Sequence, residues 1–203
     1  MDTALASVAF GVLAVGLVVP AVLEFLIGGP PDAGEERAWV ANNRGRIAAI
    51  DEFLVIMAVV TAIGVVAAWR VMAPVPTGVA IAAVLTLVSV AVAVTVSVLH
   101  GRLVYPIRSL DVSADAAALA LIVSAFYSAL HVIALVQGAA LVALGVGLWV
   151  SPAGVPFAIA TLVLGVACVP LSFAYRLDRR IGLGIMVAAG AWSAWFAAVL
   201  ATW

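Results

Sequence analysis

Along most of the chain, polar residues interrupt apolar ones at only a few places, and the runs between those interruptions are long. Five runs have clear limits: about residues 4 to 27, 47 to 69, 77 to 100, 155 to 175 and 181 to 203. Their borders are helix-breaking or charged, as at Gly28-Gly29-Pro30-Pro31, Pro74-Val75-Pro76-Thr77, Ser151-Pro152-Ala153-Gly154 and Arg179-Arg180. Each run meets or exceeds the roughly 20 residues that an α-helix rising ~1.5 Å per residue needs to cross a ~30 Å hydrocarbon core. None shows the polar face at helical spacing that a soluble helix carries. The pattern predicts an all-α, polytopic transmembrane helix bundle forming a single domain over residues 1–203.

The stretch from 114 to 150 is harder to divide, being long for one span and short for two spans with a turn. Arginine placement decides, because cytoplasmic connections collect cationic residues. With one span there, Arg37, Arg44, Arg46, Arg102, Arg108, Arg176, Arg179 and Arg180 fall on one side and only Arg70 on the other. With two spans this asymmetry disappears. The expectation is therefore six helices, both termini outside, and cytoplasmic loops around 28 to 46, 101 to 113 and 176 to 180. Trp69, Trp149 and Trp203 then fall at outer helix ends, where the interface favours indole. The surplus length of the fourth helix is expected to project beyond the inner interface or lie along it, starting from a Ser113 cap.

Composition strengthens this picture. Of 203 residues, 67% are hydrophobic and 9% charged, and the mean hydropathy is +1.32, whereas soluble domains carry about 25% charged residues. The N-terminus lacks the basic n-region and A-x-A-like site of a signal peptide and reads as the first span. All nine cationic residues are arginines and the net charge is −1, so nucleic acid is not an expected partner. The single cysteine, Cys168, excludes an intramolecular disulfide and a cysteine-rich metal site. Small residues such as Gly138, Gly145, Gly147 and Gly190 mark surfaces where helices can approach closely. The expected partner is the lipid bilayer, with oligomeric state left open.

Ionisable residues inside apolar runs are costly and are candidates for function. Glu24 near the inner end of the first helix, with Asp51 and Glu52 at the expected start of the second, form a candidate acid–base set. Arg102, Arg108 and Arg176 are available as cations. The competing explanations are snorkelling for Glu24 and helix-dipole compensation for the other two. His100 closes the third helix and is expected at the inner interface. Ser124, Tyr127, Ser128 and His131 follow i, i+3, i+4, i+7 spacing, so they share a face that should turn toward a cavity or toward partners on other helices. Trp192 and Trp195 lie mid-helix, where an indole N–H needs a partner, and could line an apolar ligand pocket. Tyr127, Ser128, His131, Trp192, Trp195 and Arg102 are thus the candidate ligand-binding residues, beside the candidate catalytic Glu24, Asp51 and Glu52.

The chain holds no H-E-x-x-H, no G-x-S-x-G and no Gly-rich phosphate loop ending in lysine. His100 and His131 are too far apart for a bis-histidine haem site unless part of the fourth helix lies along the interface, so no metal or cofactor is expected. Three functions stay open. One is a cytoplasm-facing polar vestibule above an apolar interior, binding or transporting a small amphiphile or a proton-coupled solute. Another is a small isoprenoid or lipid cyclase or isomerase using carboxylate acid–base chemistry. The third is an accessory subunit without a site. Asn43-Arg44-Gly45-Arg46 leading into the second helix, Ala129-Leu130-His131 before the Gly138 to Gly147 helix, and the Tyr175-Arg176 to Arg180-Ile181-Gly182 turn also form a pattern. In these the chain resembles an uncharacterised bacterial family of six-helix membrane proteins catalogued as a domain of unknown function. The resemblance implies the six-helix fold and no established activity.

Overall fold

The computed structural model describes residues 1–106, 112–149, 151, 154–173 and 178–202. Its helices are α1 (Asp2–Gly16), α2 (Val18–Ile27), α3 (Glu36–Val71), α4 (Thr77–His100), α5 (Ala116–Leu148), α6 (Val155–Leu171) and α7 (Arg179–Ala201), with short 3₁₀ turns at Gly101–Leu103 and Val112–Ala114. α1 and α2 are one rod bent at Leu17. Pro20 lies one turn beyond the bend and has no N–H to give to the carbonyl of Gly16, the usual origin of such a kink. Six rods result among the described residues.

The stretch from 114 to 150 is one helix, α5, whose length of about 50 Å at 1.5 Å per residue exceeds any hydrocarbon core. Asp115 caps it, Oδ1 accepting from the backbone N–H of Ala117 at 2.9 Å and Ala118 at 3.2 Å. The cap is thus Asp115 and not the expected Ser113, which lies in the preceding 3₁₀ turn. α3 differs more from expectation: it starts at Glu36, so much of the anticipated 28 to 46 loop is helix. Nothing from Glu36 to Asp51 breaks a helix apart from a tolerable Gly45. The loop shrinks to a turn in which Gly28, Gly29 and Gly34 adopt positive φ of 99°, 85° and 91°.

The rods form a ring in which α1 packs on α3 and α7, α3 on α4, α4 on α5, and α5 on α6, with a thinner α6–α7 contact closing it. Glycine sets several close backbone approaches, among them that of α7 to α1, where a Cβ on Gly190 would meet Ala14 O at 2.6 Å. A Cβ on Gly78 would meet Ala143 O at 2.5 Å, and one on Gly138 would meet Gly165 O at 2.8 Å, so only glycine permits these α4–α5 and α5–α6 distances. Where lipid gives little hydrophobic drive for association, such contact is what holds helices together.

Three layers stack along the bundle. At the end carrying the termini, Phe10 and Leu13 of α1, Met57 and Ala68 of α3, Ala82 of α4, Leu144 and Leu148 of α5, Phe157 of α6, and Phe196 and Leu200 of α7 make an apolar core shared by all six rods. At the opposite end, where α3 and α5 extend past the other rods, Val40, Ile47, Leu103, Val104, Leu119 and Val123 make a second apolar cluster. Between them Ile50, Val96 and Phe126 surround buried polar groups. The outer faces are apolar too, with Val8, Val15, Val59, Val66, Val84, Val163 and Val166 all more than half exposed. A surface of this kind is solvated by lipid. α1 with α2, α3, α4 with the following turn, α5 and α7 are each long and apolar enough to cross a membrane. α6, with 17 residues, is at the short limit of about 17–25. The chain is a polytopic helical membrane protein.

Candidate functional site

The middle layer brings together residues from four rods. Asp51 lies about four turns inside α3, well past the first turn where a helix dipole acts, so dipole compensation does not account for it. His100 is the last residue of α4. Its imidazole Nδ1 and Asp51 Oδ1 are 2.8 Å apart, and the two residues are 2% and 5% exposed. His100 therefore does not sit at the interface as expected. It also stacks on Phe126 of α5, ring centroids 3.8 Å apart and planes at 19°. The outer atoms of the pair, Asp51 Oδ2 and His100 Nε2, are buried with no hydrogen-bond partner among the described residues.

A second polar pair adjoins the first. Tyr127, next to Phe126, donates its hydroxyl to Glu24 Oε1 of α2 at 2.6 Å. Glu24 thus has a partner across the bundle and is not simply reaching for headgroups. His100 interacts electrostatically with both Glu24 and Asp51. Of the expected arginines, Arg102 donates to the backbone O of Tyr105 at 3.1 Å, while Arg108 and Arg176 lie outside the described residues.

The layer is roofed over. Arg44 donates to Val104 O at 2.7 Å and Arg37 to Ala114 O at 2.8 Å, tying the extension of α3 to the connection between α4 and α5 above the second apolar cluster. The polar residues consequently do not line an open vestibule. Glu52 points the other way from Asp51 and is exposed, with Tyr105 donating to its Oε1 at 3.4 Å. The phenol of Tyr105 is raised from its ordinary value by partial desolvation and by the Glu52 carboxylate, and it remains a hydrogen-bond donor at neutral pH.

The remaining candidates separate. The polar face expected on the fourth helix divides: Tyr127 joins Glu24, whereas Ser124 and Ser128 are exposed on the bundle surface. Ser128 is remote from the buried pairs by that orientation. His131 is partly buried and its Nδ1 lies 2.7 Å from Ser172 O, one of the carbonyls left over at the end of α6. Trp192 finds its partner in Thr161, Nε1 to Oγ1 2.9 Å, and packs on Phe157. Trp195 is 44% exposed and meets Phe157 edge to face. Both tryptophans line an apolar groove of about 660 Å³ between α6 and α7, well apart from the polar layer. Among the described residues no cluster of three or more His, Cys, Asp or Glu could hold a metal ion.

No family model, curated protein or solved structure matches the chain. A carboxylate and an imidazole held at hydrogen-bond distance can bind and release a proton. The adjoining carboxylate–phenol pair can stabilise or oppose each charge state.

Proposed function

We propose that the protein is a proton-coupled membrane protein, in which protonation of the Asp51–His100 and Glu24–Tyr127 layer is linked to binding or passage of a small amphiphile through the bundle. The observation that carries this reading is the burial of Asp51 and His100 with one hydrogen bond between them and, among the described residues, no partner for the atom at each outer end. Packing alone does not account for the pair, because two apolar residues of similar volume are commonly as stable as a buried ion pair or more so. Intramembrane ionisable groups persist where they serve proton or ion movement. The Trp-lined groove between α6 and α7 offers the apolar chain of an amphiphile a place against the bundle.

The test uses protein purified with native lipid in nanodiscs. Mass spectrometry identifies amphiphiles that co-purify. Infrared difference spectra between about pH 5 and 8, the range in which histidine ordinarily titrates, then follow the buried carboxyl band. The expected result is a band lost in Asp51→Asn whose titration midpoint moves when the co-purified amphiphile is added, since coupling between two ligands is reciprocal. A midpoint indifferent to every co-purified amphiphile would reject the coupling. Conversion of the amphiphile on the same sample would identify an acid–base enzyme instead.

A further inference from the structure

The groove between α6 and α7 has a cationic end. It runs along α7 from Ile181 to Trp195, about 21 Å at 1.5 Å per residue, which is longer than half of a ~30 Å hydrocarbon core. Small residues line it, Ala160 and Ala167 from α6 and Gly184, Ala188 and Ala191 from α7. A Cβ built on Gly184 meets no atom within 4 Å, so the space there is open. Arg180 stands one turn before Gly184 and, because residues at i and i+4 share a helix face, begins the line that continues through Gly184 and Ala188. Its side chain is exposed. Arg179 turns instead to α2, its Nη1 donating to Phe25 O at 3.3 Å and its guanidinium lying 5.7 Å from the Phe25 ring centre. Asp178, the acid of this turn, accepts from the backbone N–H of Arg180 at 2.7 Å. Both arginines occupy the first turn of α7, where the helix dipole is positive and disfavours cations. A concentration of positive charge thus opens onto an apolar groove as long as a lipid tail of one leaflet.

We infer that this groove seats one anionic phospholipid from the leaflet at the arginine-rich end of the bundle, its phosphate on Arg180 and one acyl chain laid along α7 as far as Trp195. The inference rests on the reading above for the groove as the seat of an amphiphile and adds the class of that amphiphile; it does not draw on the proton layer. A guanidinium offers a planar fork of donors that matches two phosphate oxygens, and arginine at the membrane surface attracts anionic headgroups. A zwitterionic lipid brings its own cation beside the phosphate, which Arg180 repels. A second copy of the chain fits the face less well than a lipid does. Seated there by a two-fold axis along the membrane normal, it would bring two Arg180 side chains together at one depth.

The test reads quenching of Trp195 fluorescence by brominated acyl chains, with the full chain in phosphatidylcholine nanodiscs and the Trp195 signal taken as the difference from Trp195→Phe. A minor fraction of brominated phosphatidylglycerol should quench it more than the same fraction of phosphatidylcholine carrying the same brominated chains. The expected preference is about fivefold or more, the worth of one arginine at a membrane surface. Arg180→Gln should bring the preference close to one and leave quenching by brominated phosphatidylcholine unaltered. Gly184→Leu, which fills open space on the groove face, should remove the preference as well. Gly11→Leu, in equally open surroundings on α1, should retain it. Equal quenching by the two lipids in the unsubstituted chain overturns the anionic class, and a preference that survives Arg180→Gln or Gly184→Leu overturns the site. Shielding of Trp195 from both lipids means that protein covers the groove, as a second copy would, and overturns the lipid. In each of these cases a buried carboxyl whose titration midpoint still moves with a co-purified amphiphile leaves the proton-coupled reading standing, because the quenching is read without titrating the layer.

Discussion

At the scale of single residues, His100 departs from the role that its position suggested, whereas His131 meets a partner on another rod as its spacing predicted. His100 looks interfacial because it ends an apolar run, and His131 looks internal because it lies within one. In the structure His100 is the buried partner of Asp51, and His131 satisfies a carbonyl at the end of α6. Replacing His100 with leucine strands a buried carboxylate, a loss of about 3–5 kcal/mol for a broken buried pair. His131→Leu leaves one carbonyl unmade, about 1–3 kcal/mol. Unfolding titrations in mixed micelles should therefore rank His100→Leu as the more damaging change. The double variant Asp51→Leu/His100→Leu should recover most of the loss, because removing both partners of a buried pair is often near neutral. A double variant as unstable as His100→Leu would show that the two are not one energetic unit. No residue-level pattern could have paired Asp51 with His100: they are far apart in sequence, and only the antiparallel return of α4 along α3 sets them at one depth.

At the scale of helices, hydropathy finds lipid-facing surface and is blind to helix that continues beyond it. The division of 114 to 150 was legible, because arginine asymmetry favoured one span and the chain forms the single α5. The start of α3 was not legible, because its first turns carry Asn43, Arg44 and Arg46 and score as loop, although nothing in them ends a helix. Those polar turns have an apolar side, Val40 and Ile47, that becomes visible only when Leu119 and Val123 of α5 pack against it. The start of α5 is thus structurally important. Asp115→Ala should cost about 1 kcal/mol, typical of a lost N-cap, and should loosen the roof through Leu119. Ser113→Ala should leave that cap intact. Hydrogen exchange over residues 116 to 123 distinguishes them, and equal protection in both variants would remove the cap assignment. The same reasoning applies in α6, where Thr161→Val unpairs the Trp192 N–H. Hydrogen bonds within membranes average about 0.6 kcal/mol, so a shift in indole fluorescence with a small stability loss is expected there.

At the scale of the whole molecule, the buried polar layer is displaced toward one end of the bundle. The termini, the turn after α3 and the turn after α5 share the opposite end, beside the all-rod core and the Asp2–Arg70 pair at 3.4 Å. Glu24, Asp51, His100 and Tyr127 lie toward the end where Arg37, Arg44, Arg46, Arg102, Arg179 and Arg180 gather. Cationic residues of short connections are retained in the cytoplasm, so that end is expected to face inward. The core at the other end is made of apolar side chains alone. Sidedness is therefore a mechanistic variable, and it is directly measurable. In a Cys168→Ala background, cysteines introduced at Asp2 and at Gly34 sit in opposite end regions of the bundle. An impermeant thiol reagent applied to intact cells should label the first and spare the second until the membrane is opened. The reverse pattern would overturn this orientation and set the polar layer toward the outside.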